Sequence, residues 1–235
     1  MHSVAFGIST INTFVTLIYC GYMKSYNYYL FDVDGTLIDT RELIYQCFKY
    51  TGKRFAGKAV PRELVEQHIG IPLRNQMELY FGPLSDERYM FISREHMRYQ
   101  LEIYRDYLSA FPGVSNTLSE LKSAGKKLAV VTSRRKNTLG LYLRETGLHD
   151  FFSVIITPES TERHKPDPEP AQKALSLLAG TAYNAVFIGD SIYDIECGAR
   201  AGMDTAYVRW NGVTPQFERY KPTYIIEEME ELTAK

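Results

Sequence analysis

Two aspartates separated by one residue, Asp32 and Asp34, follow directly on an aromatic and aliphatic run at 28–31. Such a run favours a buried parallel strand, and Gly35 marks the point where that strand must break. Both carboxylates can therefore lie close to one point just beyond the strand's carboxyl end. Because two close carboxylates repel each other, a hard divalent cation with oxygen ligands, such as Mg²⁺, is the simplest remedy. The alternative is an ordinary turn, since Asp-Gly pairs are frequent in turns.

Three further polar segments follow along the chain. An apolar run at 129–131 ends in Thr132 and Ser133, Lys165 stands in a loop with prolines at 166 and 168, and a run at 186–188 ends in Gly189 and Asp190, with Asp194 four residues later. In an open α/β sheet, ligands bind beyond the carboxyl ends of the strands. The four segments are therefore predicted to form one site at that edge.

Taken in order, the segments Asp-x-Asp-Gly-Thr, the strand-terminal Thr, Lys-Pro-x-Pro and Gly-Asp-Ser-x-x-Asp resemble the four motifs of the haloacid dehalogenase superfamily of hydrolases. The resemblance extends from about residue 24 to the C-terminus and shows no departure in residue type. It implies an α/β fold, with a Rossmann-like parallel sheet core and an inserted all-helical cap domain.

The pattern along the chain supports that division. Helical spacing of apolar residues recurs at 41–51, from Pro61, at 72–81 and at 85–107, without a strand pattern, which predicts a helical cap over 41–109 and a core formed by 23–40 and 110–235. The second part of the core alternates helix and strand, as in a parallel sheet covered on both faces. We predict strands at 128–132, 154–157, 185–188, 205–208 and 224–226, and helices at 114–124, 135–146, 168–178 and 194–201. Asp167 is the predicted N-cap of the third of these helices.

Residues 1–22 are apolar with little charge, which admits two interpretations. They lack the Lys and Arg residues and the small-residue cleavage pattern of a signal peptide, and they are short and polar for a membrane span. We expect an N-terminal extension from an upstream start codon, because Met23 stands a few residues before the first strand. An N-terminal membrane anchor is the alternative.

The resemblance also implies a role for each motif residue. Asp32 is the expected nucleophile, which forms an aspartyl-phosphate, and Asp34 is the expected general acid and base, with its backbone carbonyl on the metal and its side chain free for proton transfer. Thr132 and Lys165 are expected to bind and stabilise the phosphoryl group. Thr132 could instead be a plain helix N-cap.

Further residues complete the expected site. Phosphoryl binding extends to Gly35, Thr36 and Ser133, and the Mg²⁺ ligands would come from Asp32, Asp34, Asp190 and Asp194. Asp194 would either support the water shell of the metal or pair with Lys165. Dehalogenases of the superfamily lack a carboxylate at the position of Asp34, so its presence favours phosphoryl chemistry.

The cap is expected to select the substrate. Candidate residues are His68, Arg74 and the turn at 70–73, which resembles the specificity loop of phosphoglycolate phosphatases. Arg74 could bind an anionic leaving group with two hydrogen bonds. The alternative is an exposed helix arginine.

These features predict a Mg²⁺-dependent phosphatase that hydrolyses a small phosphorylated metabolite, either phosphoglycolate-like or pyrophosphate. The alternatives are a β-phosphoglucomutase-type mutase and a non-catalytic binding or regulatory protein.

The 27 basic and 28 acidic residues give a net charge of −1, which argues against a nucleic-acid partner. Cys20, Cys47 and Cys197 form no zinc pattern and fit free thiols in a cytoplasmic protein. We expect a monomer or homodimer with no membrane partner.

Overall fold

The computed structural model describes residues 23–210 and 215–233. Its main sheet has six strands in the order β5-β4-β1-β6-β7-β8, and all neighbouring pairs are parallel. The strands of this sheet are β1 (Tyr28–Phe31), β4 (Lys127–Val131), β5 (Val154–Ile156), β6 (Ala185–Gly189), β7 (Asp204–Val208) and β8 (Tyr224–Ile226). The predicted α/β fold with a parallel sheet is confirmed, and each of its predicted strands lies within a residue or so of an observed one.

Alternate residues of β1 pack on opposite faces of the sheet, as a strand period of two requires. Tyr29 and Phe31 belong to one buried cluster, together with apolar residues of the helices α5 (Val114–Ser123) and α6 (Lys136–Glu145). Leu30 belongs to a second cluster, with residues of α7 (Glu169–Leu177) and α8 (Ile192–Arg200). Helices thus cover both faces, which explains why β1 is apolar without alternation.

Four helices lie between residues 41 and 103, as the sequence predicted. They are α1 (Arg41–Ala56), α2 (Arg62–Glu66), α3 (Leu73–Phe81) and α4 (Asp86–Ile103). They share a third buried cluster, formed by Ile44, Phe48, Val60, Val65, Ile69, Met77 and Ile92. A cluster of their own agrees with a separate cap, although the boundaries at 41 and 109 stay a prediction.

A short antiparallel ribbon joins the two ends of this helical segment and was not predicted. It pairs β2 (Ile38–Asp39) with β3 (Ser109–Ala110). Strands of two residues show no period that a sequence pattern could display. The ribbon holds the entry to α1 beside the exit from α4, next to the end of β1.

The predicted N-cap of α7 is wrong. The helix begins at Glu169, so Pro168 occupies the N-cap position, and its side chain makes no capping hydrogen bond. Asp167 stands one residue earlier, where its carboxylate accepts a hydrogen bond from the Glu169 N–H at 3.0 Å. The aspartate therefore still binds one of the backbone donors that a helix start leaves unpaired.

Cys47 and Cys197 are buried free thiols, in agreement with the prediction. Residues 1–22, with their proposed extension and Cys20, lie outside the described part of the chain. Within the ranges that the structure does describe, every helix is too short or too polar to span a bilayer.

Leu30 provides a test of the packing around the central strand. Its side chain is fully buried, so Leu30→Ala should lower the free energy of unfolding by about 2–5 kcal/mol, through lost burial and the cavity left behind. Leu177→Ala removes the same atoms from a side chain that is 61% exposed and should change stability by no more than about 0.5 kcal/mol. Urea denaturation of both variants measures the difference, and equal losses would contradict the central place of β1.

Candidate active site

Three neighbouring strand ends carry polar side chains at one edge of the sheet. β1 runs into Asp32, β4 into Thr132 and β6 into Asp190. The ladder continues past the strands, because the Asp32 N–H donates to the Ile188 carbonyl at 2.9 Å and the Thr132 N–H donates to the Ile156 carbonyl at 3.1 Å. The register of three parallel strands thus brings together residues that are far apart in sequence.

Lys165 bridges two of the acidic residues. Its Nζ lies 2.6 Å from Asp32 Oδ1 and 2.6 Å from Asp194 Oδ1, and all three side chains are almost fully buried. Burial acts to lower the pKa of Lys165, but the Asp194 and Asp32 carboxylates outweigh it and raise the pKa above its ordinary value. The ammonium is therefore a fixed positive charge at this edge of the sheet. Of the two predicted roles of Asp194, the structure contains the pairing with Lys165.

Asp194 has a second set of partners that fixes its orientation. Its Oδ2 accepts hydrogen bonds from the Ser191 N–H at 3.1 Å and from the Ser191 hydroxyl at 2.6 Å, in a capping box at the start of α8. Gly189 lets the carboxylate pack this closely, since a Cβ at that position would lie 2.3 Å from Asp194 Cβ. The glycine is thus required by close approach.

Asp32, Asp190 and Asp194 form the acidic cluster that could hold a metal ion. One carboxylate oxygen from each lies within 4.8 Å of the others. Burial and the neighbouring carboxylates raise the pKa of Asp190 well above its usual range. Burial, opposed by Lys165 and reinforced by Asp194, also raises the pKa of Asp32 to about 7.

The buried Asp32 Oδ2 makes no hydrogen bond within the described residues. An all-oxygen cluster with one unpartnered, buried carboxylate oxygen suits Mg²⁺. These residues therefore fit the predicted ion.

A tight turn follows β1 and closes one side of the cluster. Gly35 has a φ of 83°, in the left-handed region, and its N–H donates to the Ile38 carbonyl at 2.9 Å. Thr36 is fully buried, and its hydroxyl lies 3.5 Å from Asp190 Oδ1. The turn brings Gly35 and Thr36 to the site, while their roles in phosphoryl binding stay predictions.

A pocket lies at this edge of the sheet, and Thr132 and Ser133 line it together with Asp32 and Asp34. Helix α6 begins at Lys136 with Arg135 at its N-cap position, so neither hydroxyl caps it. Thr132 Oγ1 instead accepts a hydrogen bond from the Arg134 N–H at 3.1 Å, and the buried Ser133 Oγ has no partner in the described chain. The plain N-cap interpretation of Thr132 is therefore wrong, and Ser133 keeps a hydroxyl for a ligand.

Asp34 binds an arginine that sequence reasoning missed. Arg134 Nε donates to Asp34 Oδ2 at 2.8 Å, and Arg134 Nη2 lies 2.5 Å from Asp34 Oδ1. The Thr40 hydroxyl donates to Asp34 Oδ1 at 2.5 Å. The Asp34 carboxylate is thus paired with a cation in this structure, because a buried carboxylate at this edge requires a counter-charge, while its role in proton transfer stays a prediction.

Comparison with known proteins agrees with this arrangement. The haloacid dehalogenase-like hydrolase family matches residues 29–208. The chain belongs to this family. Pyrophosphatase PpaX of Bacillus velezensis is 34% identical over 204 residues, which cover 86% of this chain and 93% of that protein. Pyrophosphatase PpaX of Bacillus cereus is 33% identical over 207 residues, covering 88% and 94%.

A solved structure supports the same assignment. A protein from Bacteroides fragilis, solved as a haloacid dehalogenase-like hydrolase, is 28% identical, with a TM-score of 0.81, and the match covers 88% of this chain and all of that chain. The predicted family and fold are therefore confirmed, and the four motifs are those of a haloacid dehalogenase-like hydrolase.

The helical segment of this hydrolase forms the other wall of the pocket. Its lining residues there are Ile44, Phe48, Gly70, Ile71, Leu73, Gln76, His96, Met97 and Gln100. Gln76 Nε2 donates to the Ile71 carbonyl at 2.9 Å, while the buried Gln76 Oε1 has no partner among the described residues. Part of the predicted turn at 70–73 therefore faces the active-site cluster, as expected.

Arg74 lies outside the pocket, so the prediction that it binds an anionic leaving group is wrong. It does not line the pocket, because Leu73 and Gln76 occupy the inner side of α3. Its guanidinium binds Glu78 and Asp86 on the outer side and stacks over Tyr89. His68 likewise does not line the pocket, and its Nδ1 pairs with the Leu64 carbonyl at 2.7 Å.

His96 is held neutral in the pocket wall. Its Nδ1 lies 3.0 Å from the Thr51 hydroxyl oxygen, and that hydroxyl donates to the Cys47 carbonyl at 2.7 Å. His96 Nδ1 is therefore the donor to Thr51, assigned from this chain of bonds. Burial, and then the charge of Arg134, lowers the pKa of His96 to about 3.

This pKa predicts how stability changes with pH. The unfolded chain protonates His96 near pH 6.5, whereas the folded protein does so only near pH 3, so the unfolded state binds more protons between these values. Stability from this group is complete above pH 6.5 and should fall by about 1.4 kcal/mol per pH unit below it. His96→Asn should lose this part of the slope between pH 6 and pH 4.5, measured by urea unfolding. His149, whose side chain is 43% exposed, is replaced in the control His149→Asn, and an unchanged slope in His96→Asn would contradict the assignment.

Proposed function

We propose that this hydrolase is a Mg²⁺-dependent phosphatase that acts on a small phosphorylated metabolite through an aspartyl-phosphate on Asp32. The observation that carries the proposal is the buried group in which Lys165 contacts both Asp32 and Asp194, with Asp190 beside them. Such a group combines a nucleophile, a fixed cation and a set of oxygen ligands. A non-catalytic binding protein would not require a buried carboxylate nucleophile beside a fixed cation and metal ligands.

Asp32 and Asp190 would hold the ion, with Asp194 close enough to support it. Bound Mg²⁺ would neutralise charge on the phosphoryl group and orient it. Asp32 Oδ1 contacts Lys165 and could also ligate the ion, because a carboxylate oxygen has two lone pairs. Asp32 Oδ2, which has no hydrogen bond to the described residues, then remains for attack on phosphorus. Lys165 would stabilise the charge that develops on the phosphoryl oxygens, and the Thr132 and Ser133 hydroxyls would donate to them.

Asp34 would supply the proton transfers. In the first step a bond forms between Asp32 and phosphorus, the bond to the leaving oxygen breaks, and Asp34 gives that oxygen a proton. In the second step Asp34 takes a proton from water as the water attacks phosphorus, which releases phosphate and restores Asp32. The position of Asp34 in the pocket lining supports this role. The ion pair between Asp34 and Arg134 must weaken before Asp34 can transfer a proton.

Pyrophosphate and phosphoglycolate-like esters are the proposed substrates. The similarity to PpaX pyrophosphatases, at 34% and 33% identity over most of both chains, supports pyrophosphate. Both compounds carry a second anionic group next to the bond that is broken. The mutase alternative predicts a bisphosphate intermediate and no net phosphate release.

Replacement of the nucleophile tests the proposal. Asp32→Asn should lower phosphate release from pyrophosphate by about a thousandfold or more in the presence of Mg²⁺, because the amide cannot form the phosphoryl intermediate. Chelation of Mg²⁺ with EDTA should likewise abolish release from the unchanged protein.

Asp150→Asn is the matched control, since the Asp150 side chain is 97% exposed and far from the pocket. It should retain full activity. Full activity of Asp32→Asn, or a bisphosphate product without free phosphate, would contradict the mechanism.

A further inference from the structure

Among the described residues, Arg134 is the buried cation that lines the pocket, and it comes from the core. The Arg134 side chain is only 7% exposed, lines the pocket and lies over the ring of Tyr142, with 4.3 Å from the guanidinium carbon to the ring centre. Arg135 also lines the pocket, but its side chain is 42% exposed and pairs with Glu159 at 3.4 Å. Arg134 is therefore the guanidinium that is shielded from water and rigidly held.

The hydrogen bonds between Arg134 and Asp34 use one edge of the guanidinium. Its Nε and Nη2 atoms contact both oxygens of Asp34, at 2.5 to 3.0 Å. None of these bonds uses Nη1. A guanidinium presents five N–H donors in a planar fork, so a second anion can bind the edge formed by Nη1 and Nη2 while the first is still held.

Among the residues that the structure describes, the helical wall of the pocket offers no competing cation. The pocket-lining residues of that wall have neutral side chains, and the pKa of His96, at about 3, keeps this imidazole uncharged at neutral pH. The arginine that was predicted for this task, Arg74, is already bound to Glu78 and Asp86 outside the pocket. An anionic leaving group that enters this pocket therefore meets Arg134.

We propose that Arg134 selects substrates with a second anionic group and positions Asp34 for proton transfer. In the free protein the guanidinium holds the Asp34 carboxylate. When a second phosphoryl or carboxylate group of the substrate binds the guanidinium, it shares the positive charge, weakens the hold on Asp34 and places the leaving oxygen beside that acid. The inference rests on the proposed function and assigns its substrate class.

Three substrates separate the two tasks in the variant Arg134→Met. With pyrophosphate, KM should rise by about tenfold or more and kcat should fall, because a charge-assisted bond and the position of the acid are both lost. With phenyl phosphate, which has no second anion but needs a proton on its leaving oxygen, kcat should fall while KM changes by less than about threefold. With p-nitrophenyl phosphate, which has no second anion and needs no proton on its leaving oxygen, KM should change by less than about threefold and kcat should fall less than with phenyl phosphate, because only the water-activating step still uses Asp34.

Arg134→Lys keeps the charge and removes the fork. It should recover part of the KM for pyrophosphate but little of the kcat for phenyl phosphate. Arg144→Met is the matched control, since Arg144 is an exposed arginine on α6 outside the pocket, and it should change none of the constants. The melting temperature reports whether the variants are folded.

Binding gives a readout without turnover. By isothermal titration with Mg²⁺ present, Arg134→Met should bind methylenediphosphonate about tenfold or more weakly, while its affinity for methylphosphonate, which has one anionic group, stays unchanged.

If Arg134→Met lowers kcat/KM equally for all three substrates and weakens the binding of both phosphonates equally, the inference is overturned. Arg134 would then act on the phosphoryl group that all of them share, or on folding. A rise in KM for pyrophosphate in Arg135→Met but not in Arg134→Met would assign the role to the other arginine. If the unchanged protein releases no phosphate from any substrate, the proposed function fails as well, which separates the two results.

Discussion

The buried ion pairs of Lys165 with Asp32 and Asp194 are the interaction on which this structure depends. Burying one of these carboxylates alone would be costly, because the desolvation of an unpaired ion amounts to several kcal/mol. The ammonium, 2.6 Å from an oxygen of each, makes their burial tolerable and fixes both side chains. The charge balance of the group is still negative once Asp190 is included, which is the physical reason to expect a divalent cation there.

The same electrostatic requirement explains the second pairing in the site. Asp34 stands two residues after Asp32 at the end of the same strand, and it has its own buried partner, Arg134. Among the described residues, this edge of the sheet thus holds two buried cations, each paired with carboxylates, in different surroundings. Lys165 is enclosed within the core, whereas Arg134 lines the pocket that a substrate would enter. This difference supports a fixed role for the lysine and a substrate-dependent role for the arginine.

The sequence located the core motifs because each stands at a recognisable break in a local pattern. Asp32 and Asp190 follow apolar strands, and Lys165 is confined by prolines, so their positions could be predicted from local signals. Arg134 had such a signal as well, since it comes two residues after the strand-terminal Thr132. It was missed because an arginine near a helix start is ordinarily exposed. The opposite error occurred at Arg74, where the residue type suggested anion binding although its partners lie one turn away at Glu78 and across a loop at Asp86.

By itself, the sequence determined the parallel sheet, the inserted helices, the family and the set of acids and one lysine at the strand ends. These follow from strand period, helix period and the turn residues between them, which act over a few neighbouring residues. The tertiary structure alone decided which charges meet. The register of β1, β4 and β6 brings the ends of these strands together, and the loop before α7 places Lys165 between Asp32 and Asp194. The turn after Thr132 brings Arg134 onto Asp34. These contacts join residues that are 29 to 133 positions apart, and burial selects them because an unpaired charge at this edge would be too costly.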